Sequence, residues 1–298
     1  MYRMDETFKD SLRAGNRWAA EVIPLLAAPR AQEVALLFPA EMSLYEPLEV
    51  DVEGRHRMDL LGWYSQFTDL GWHVDIVHPE QVTAGALKDY QHLVVPTNSL
   101  YDLGENAALE AAVKRFVGDG GTVFHGPHCE LAKRAFGIQE EMVAFDCIQW
   151  DEEIIPHGWS TVAYRSGKAL GKYIQSGKTA LVQTDLGEGK VFSFGFQYGH
   201  SYSRRTMPIV PPQYGKREMH PVVLLKATPV AALAGRSPLA PIPPIKEVEF
   251  ARFGKHLLVV NHRSNPVDLS GIASSKRIQQ VHSAPGWLPA HSAIYFEL

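Results

Sequence analysis

Four short, mainly apolar runs, of which the first is the least interrupted, alternate with segments of helical periodicity along the first 130 positions. The runs lie at 33–40, 73–79, 92–99 and 122–126. Runs of this length without polar alternation are typical of strands buried on both faces. Between them, helical spacing predicts helices at 58–69 and 105–121, the second of which ends at a glycine pair. A further helix is predicted at 7–28, interrupted or ended by Pro24 or Pro29.

Strands that alternate with helices at this spacing require right-handed crossovers and a sheet covered on both faces. The sequence therefore predicts an α/β fold with a doubly wound, mainly parallel sheet. In such a fold, functional residues are expected at the carboxyl ends of the strands. Here those are the loops after Phe38, Val77, Val95 and His125.

The pattern changes after about residue 140. Two strands joined around Gly187 and Gly189 predict a hairpin at 180–197, and residues 202–223 and 237–250 are Pro-rich. Short alternating segments near the C-terminus then predict a small antiparallel β domain. The expected organisation is a helical segment at 1–30, an α/β domain at 31–205, a Pro-rich loop and linker at 206–244, and a small C-terminal β-sandwich domain at 245–298.

Composition narrows the classes of function. The 298-residue chain has a formal net charge of −4, which gives no electrostatic support for nucleic-acid binding. Its two cysteines include no Cys-x-x-Cys, which argues against a disulfide scaffold and a cysteine zinc site. No run approaches about 18 apolar residues, and the first residues lack a signal-peptide core. We expect a soluble cytoplasmic protein with no membrane association.

An ordered series of segments resembles a known family. "VALLFPAEMSLYEPLEV", "LGWHVDIVHPEQ" and "YQHLVVPTNSLYDLGENAALEAAVKRFVGDGGTVFHGP", followed by "RAFGI" and "GKVFSFGF", are similar to the β-galactosidase trimerisation domain of glycoside hydrolase family 42. "GKHLLVVNHRSNPVDLSG" resembles the small β domain that closes those enzymes, and "AGNRWAAEV" resembles the end of their catalytic barrel. The resemblance implies a class I glutamine amidotransferase-like, flavodoxin-like α/β fold and self-association, with a homotrimer as the expected state.

The family's catalytic glutamates lie on a barrel of about 250 residues, for which this sequence has no room. We therefore expect a trimerisation-type domain with a non-catalytic oligomerisation or carbohydrate-related accessory role. One alternative is β-galactosidase-related hydrolysis that requires a separate barrel subunit. If this chain itself hydrolysed galactosides, Glu41 and Glu46 would be the carboxylate pair, because retaining chemistry needs two carboxyls.

A second alternative is a cysteine-dependent, amidotransferase-like hydrolase that uses Cys129 and His200. Cys129 follows the strand at 122–126 and opens a helix, which resembles the position of the amidotransferase nucleophile. However, Leu131 replaces a glycine of that motif, His200 is displaced by one position, and Tyr202 stands where the orienting glutamate is expected. These departures predict no working relay. The other cysteine, Cys147, is expected to be buried.

Two further groups are candidate binding residues. Glu41, Tyr45 and Glu46 follow the first strand, and carboxylates and aromatic rings suit sugar hydroxyls and ring faces; the alternative is a solvated loop that packs on a neighbouring subunit. His125 and His128 flank the Cys129 turn, but no metal-binding spacing accompanies them. We expect no metal and no cofactor.

Overall fold

The computed structural model describes residues 6–38, 55–96, 106–144, 146–155, 161–206 and 228–298. Its helices are α1 (Glu6–Val22), α2 (Arg55–Thr68), α3 (Pro79–Thr83), α4 (Ala107–Gly118), α5 (Glu130–Phe136), α6 (Tyr198–Thr206) and α7 (Pro229–Ala234), with 3₁₀ turns at Ile23–Leu26 and Ala86–Asp89. Its first strands are β1 (Val34–Leu37), β2 (Val74–Val77), β3 (His92–Val95), β4 (Thr122–His125), β5 (Glu140–Met142), β6 (Ile148–Trp150), β7 (Glu153–Ile155) and β8 (Val162–Tyr164). The remaining strands are β9 (Lys168–Tyr173), β10 (Thr179–Leu186), β11 (Gly189–Phe194), β12 (Val248–Phe253), β13 (His256–Asn261), β14 (Val267–Asp268), β15 (Lys276–Gln279), β16 (Trp287–Leu288) and β17 (Ser292–Glu297).

Nine strands form one large sheet in the order β2-β1-β3-β4-β11-β10-β9-β6-β7. The pairs from β2 to β11 are parallel, and the pairs from β11 to β7 are antiparallel. The parallel half has the flavodoxin-like strand order. The predicted α/β class with a small β domain is therefore confirmed, but the sheet is mixed rather than mainly parallel. The antiparallel half arises because Gly187, at a φ of 60°, turns β10 directly into β11.

The inner parallel strands β1 and β3 are buried on both faces, whereas the edge strand β2 has an exposed Ile76. All four residues of β1 and of β3 are buried. Successive side chains of a strand point to opposite faces. On β4, Val123 joins the core cluster that includes Leu109 and Val113 of α4, whereas Phe124 packs edge-to-face on Phe67 of α2. One face of the sheet therefore carries α4, and the other carries α2.

Helices α2 and α6 cross at a pair of glycines. A Cβ atom at Gly62 would lie 1.7 Å from the carbonyl oxygen of Gly199, and a Cβ at Gly199 would lie 1.9 Å from the carbonyl oxygen of Asp59. The backbones can approach this closely only because both side chains are absent. Trp63 then packs 4.9 Å from the Tyr198 ring, measured between centroids.

The described residues divide into two compact units, one from 33–67 and 74–235 and the other from 1–32, 68–73 and 236–298. The second unit contains the antiparallel sheet β12-β13-β17-β15 and the ribbon β14-β16. Its core includes Phe250, Leu257 and Phe296. Helix α1 contacts this sheet, since the Trp18 indole donates to the carbonyl of Ile278 at 3.1 Å. The predicted domain boundaries remain a proposal.

Two local predictions differ from the structure. Residues 202–206 belong to helix α6 rather than to an extended loop, and the rest of the predicted loop up to 223 lies largely outside the described residues. Cys147, between β5 and β6, is only partly buried. None of the helices in the described ranges is both long and apolar enough to cross a membrane.

Candidate functional site

The carboxyl ends of the parallel strands are the edge at which this fold places its sites. The segments that follow β1 and β3, at 39–54 and 97–105, lie outside the described residues. Glu41, Tyr45 and Glu46 are among them, so their predicted role remains a prediction. The turn after β4 is described in full.

This turn bends the chain from β4 into α5 at residues 126–129. His128 takes a left-handed backbone conformation with a φ of 56°, whereas Cys129, the N-cap of α5, has an ordinary φ of −82°. Left-handed backbone is costly for a residue with a side chain and needs support from its surroundings. The backbone strain of the turn therefore falls on His128 and not on the cysteine.

Glu140 supplies that support. Its Oε1 accepts the backbone N–H of His128 at 3.1 Å, and its Oε2 lies 3.9 Å from the His128 Nδ1. The Lys133 Nζ lies 3.1 Å from the same carboxylate and 2.6 Å from Glu130 Oε1. Burial alone would lower the pKa of Lys133, but these two carboxylates outweigh burial and raise it. The turn is thus held by an ion-pair network.

The Cys129 thiol is completely buried. Burial raises its pKa to about 12, and the opposing hydrogen bond from the start of α5 is too weak to reverse this. The neighbouring carboxylates of Glu140 and Glu130 raise the pKa further. Because the thiolate is the nucleophilic form, burial disfavours the reactive state of this sulfur near neutral pH.

His200 and Cys129 belong to different helical segments. Cys129 belongs to the core cluster of Val123, on the face of the sheet that carries α4. His200 lies on α6, and its backbone N–H donates to Asp59 Oδ1 of α2 at 3.1 Å, on the face toward which Phe124 points. Helix α5, which begins after Cys129, and helix α6, which carries His200, therefore pack on opposite faces of the sheet.

His125 is a core residue. Its Nδ1 lies 2.8 Å from the carbonyl oxygen of Gly126, which can only accept, so Nδ1 carries the proton. Its Nε2 therefore accepts from the Ser193 hydroxyl at 2.6 Å. Burial lowers the pKa of His125 to about 4, and the ring is neutral at pH 7. Since its side chain is fully buried, His125 cannot touch a surface ligand in this conformation.

The structure does not bring the predicted histidines together as a metal site. The His125 ring is bonded to Ser193, His200 lies on α6, and His128 is directed toward Glu140. Within the part of the chain that the structure describes, no group of three or more His, Cys, Asp or Glu side chains could hold a metal ion.

Sequence reasoning missed Glu140 and Lys133. The spacing of Glu130 and Lys133 is a recognisable helical ion pair. Glu140, in contrast, reaches back twelve residues from a short strand, and no local pattern marks such a contact.

Strand order and site together define a flavodoxin-like α/β domain whose β4 turn holds an ion-pair network and a buried cysteine. Residues 32–132 match the family model of the beta-galactosidase trimerisation domain, which confirms the predicted resemblance over this segment. No curated protein matches the chain by sequence.

Solved structures extend the similarity over almost the whole chain. A catalytic mutant of a GH42 beta-galactosidase from G. stearothermophilus aligns with 99% of this chain and 44% of its own, at a TM-score of 0.62 and 12% identity. The beta-galactosidase from the psychrophilic Marinomonas ef1 aligns with 99% of this chain and 43% of its own, at a TM-score of 0.59 and 16% identity. The beta-galactosidase from Bacillus circulans sp. alkalophilus aligns with 94% of this chain and 43% of its own, at a TM-score of 0.59 and 12% identity.

At these identities the likeness concerns the fold. The chain spans less than half the length of these beta-galactosidases.

Proposed function

We propose that this chain is an assembly module of the β-galactosidase trimerisation type, with a non-catalytic oligomerisation or carbohydrate-related accessory role. The observation that carries the proposal is the match of residues 32–132 to the trimerisation-domain model. The structural similarity beyond that segment, through the small β domain, supports it. A cytoplasmic location is part of the proposal and rests on composition.

The proposal predicts a homotrimer. The purified chain at tens of micromolar should sediment with three times the 33.2 kDa mass of one chain, because a closed cyclic assembly satisfies each subunit's interface. Analytical ultracentrifugation across a hundredfold range of concentration checks this. A monomer throughout that range would contradict the assembly role.

A second candidate is participation in galactoside hydrolysis together with a separate catalytic barrel. The observation that favours it is that the chain covers only 43–44% of the solved beta-galactosidases. We expect no turnover of a chromogenic β-galactoside by this chain alone, because retaining hydrolysis needs two carboxyls held over the sugar and the chain aligns with less than half of the length of those enzymes. Turnover above a blank that Glu41→Gln abolishes would overturn this expectation and make the chain a glycosidase.

We further propose that Cys129 is a structural cysteine and that the chain does not hydrolyse glutamine. The burial of its sulfur and its raised pKa support this proposal.

A further inference from the structure

A cavity of about 600 Å³ opens at the amino-terminal edge of the parallel strands. This is the edge opposite to the β4 turn. Helix α3 and the 3₁₀ turn after it form one side, and the second half of α4 forms the other. The starts of β3 and β4 form the floor. Every lining residue lies between Val82 and Thr122, within one compact unit.

One part of the lining is apolar and fixed. Val82, Leu87 and Tyr90 are buried members of the core cluster, and Phe116 packs against that cluster. The Phe116 ring has little freedom, because it fills the space in which a Cβ at Gly121 would stand, 2.5 Å away. The cavity therefore offers a preformed aromatic and aliphatic wall.

Positively charged side chains outnumber negatively charged ones around this wall. Lys88 and Arg115 line the cavity as exposed cations, and neither pairs with another residue in the described ranges. Asp119 is the single carboxylate of the lining. Cations that lack a protein partner beside an apolar surface favour a ligand that brings both a negative charge and apolar area.

We propose that this cavity binds a small organic anion with a flat apolar body, which is the chemistry of an aromatic carboxylate. The volume lies within the roughly 300–1,000 Å³ typical of small-molecule sites. Burial of the apolar body against Phe116 and Leu87 supplies most of the affinity, since the exposed cations are largely solvated. Lys88 and Arg115 supply the preference for an anion. This binding role goes beyond the assembly role and does not depend on it.

Three probes separate the two components by isothermal titration on the full chain. Indole-3-acetate carries the aromatic body and the charge, tryptophol carries the body alone, and acetate carries the charge alone. We expect saturable binding of indole-3-acetate, binding of tryptophol that is several-fold weaker, and no measurable binding of acetate. Equal affinities for indole-3-acetate and tryptophol, or no binding of either, would overturn the proposal.

Variants locate the site. Arg115→Gln and Lys88→Gln should each weaken indole-3-acetate binding by about threefold, the scale of an exposed charge pair, and leave tryptophol binding unchanged. Lys114→Gln makes the same charge change at an exposed position of α4 outside the lining, and it should have no effect. If Lys114→Gln weakens binding as much as Arg115→Gln, the assignment to this cavity is wrong.

A bulky substitution distinguishes a ligand from a second copy of the chain. Ala112 lines the cavity from α4, and Ala112→Trp should abolish probe binding while circular dichroism and sedimentation stay unchanged. If Ala112→Trp instead dissociates the oligomer and leaves probe binding intact, the cavity belongs to self-association and the proposal fails.

Discussion

The left-handed residue of the β4 turn is His128, and this placement sets the properties of Cys129. A nucleophile at a tight turn is exposed because the turn projects it outward. Here the residue before the cysteine takes the strained conformation, and the sulfur is directed into the core cluster with Leu131. Cys129 therefore contributes its sulfur to the packing of the core.

Alkylation measures how accessible the Cys129 sulfur is. Native Cys129 should react with iodoacetamide far more slowly than the partly exposed Cys147 at every pH from 6 to 9, because it is buried and its pKa is raised to about 12. The rates are read by mass spectrometry in the variants Cys147→Ser and Cys129→Ser, each of which leaves one thiol. Rapid native labelling of Cys129 below the free-thiol pKa of about 8.5 would show an activated thiolate instead.

The sequence located Cys129 but not its surroundings. Its place between a strand and a helix depends on neighbouring residues and could be predicted. Its burial, the conformation of His128 and the contact with Glu140 depend on packing between segments, which leaves no local pattern.

At the scale of elements, the crossing of α2 and α6 is limited by Gly62 and Gly199. Gly199→Ala should destabilise the chain by roughly 1–3 kcal/mol, because its Cβ would overlap the Asp59 carbonyl and force the helices apart. The urea midpoint measures the loss. Gly118→Ala, at the end of α4, is the control, since nothing lies within 4 Å of the Cβ it adds. Equal urea midpoints for the two variants would show that the helices can move apart with no loss of stability.

Long apolar and amphipathic segments were predictable as elements, whereas the short ones were not. Strands β1 to β4 and helix α4 lie within the predicted segments, and α2 overlaps its predicted segment but begins three residues earlier, because each has a mainly apolar run or a helical repeat. Strands β6 and β7 have three residues each and mixed exposure. Strand β6 pairs with β9 and β7 pairs with β6, which extends the antiparallel half of the sheet through contacts that no periodicity marks.

At the scale of the whole molecule, two buried imidazoles make stability depend on pH. Burial lowers the pKa of His92 to about 4, with Glu33 opposing the shift, and burial likewise lowers the pKa of His125 to about 4. The unfolded chain takes up protons at these side chains below a pH of about 6.5, and the folded chain does so only near 4. The contribution of these two histidines to the free energy of unfolding should therefore be complete above about pH 6.5 and should fall as the pH drops toward 4.

The pH dependence of the urea midpoint checks this. Each histidine accounts for a loss on the order of 3 kcal/mol by pH 4. His92→Phe should make the decline shallower, because His92 already packs between Phe67 and Phe124 and a phenyl ring takes up no proton. His282→Gln, at an exposed position, should keep the wild-type slope. An unchanged slope in His92→Phe would remove His92 as a cause.

The place of β11 in the sheet bears on the order in which the chain can fold during synthesis. Strand β4 pairs with β3 on one side and with β11 on the other, so its second side has no partner until residues 190–193 have been made. A nascent chain that ends before this point contains β1 to β4 without β11. In that incomplete sheet β4 is an unpaired, apolar edge strand, although it lies near the centre of the complete sheet. Such edges pair readily with other chains. The ribosome must therefore release some 65 residues beyond β4 before the hairpin of β10 and β11 can close this edge.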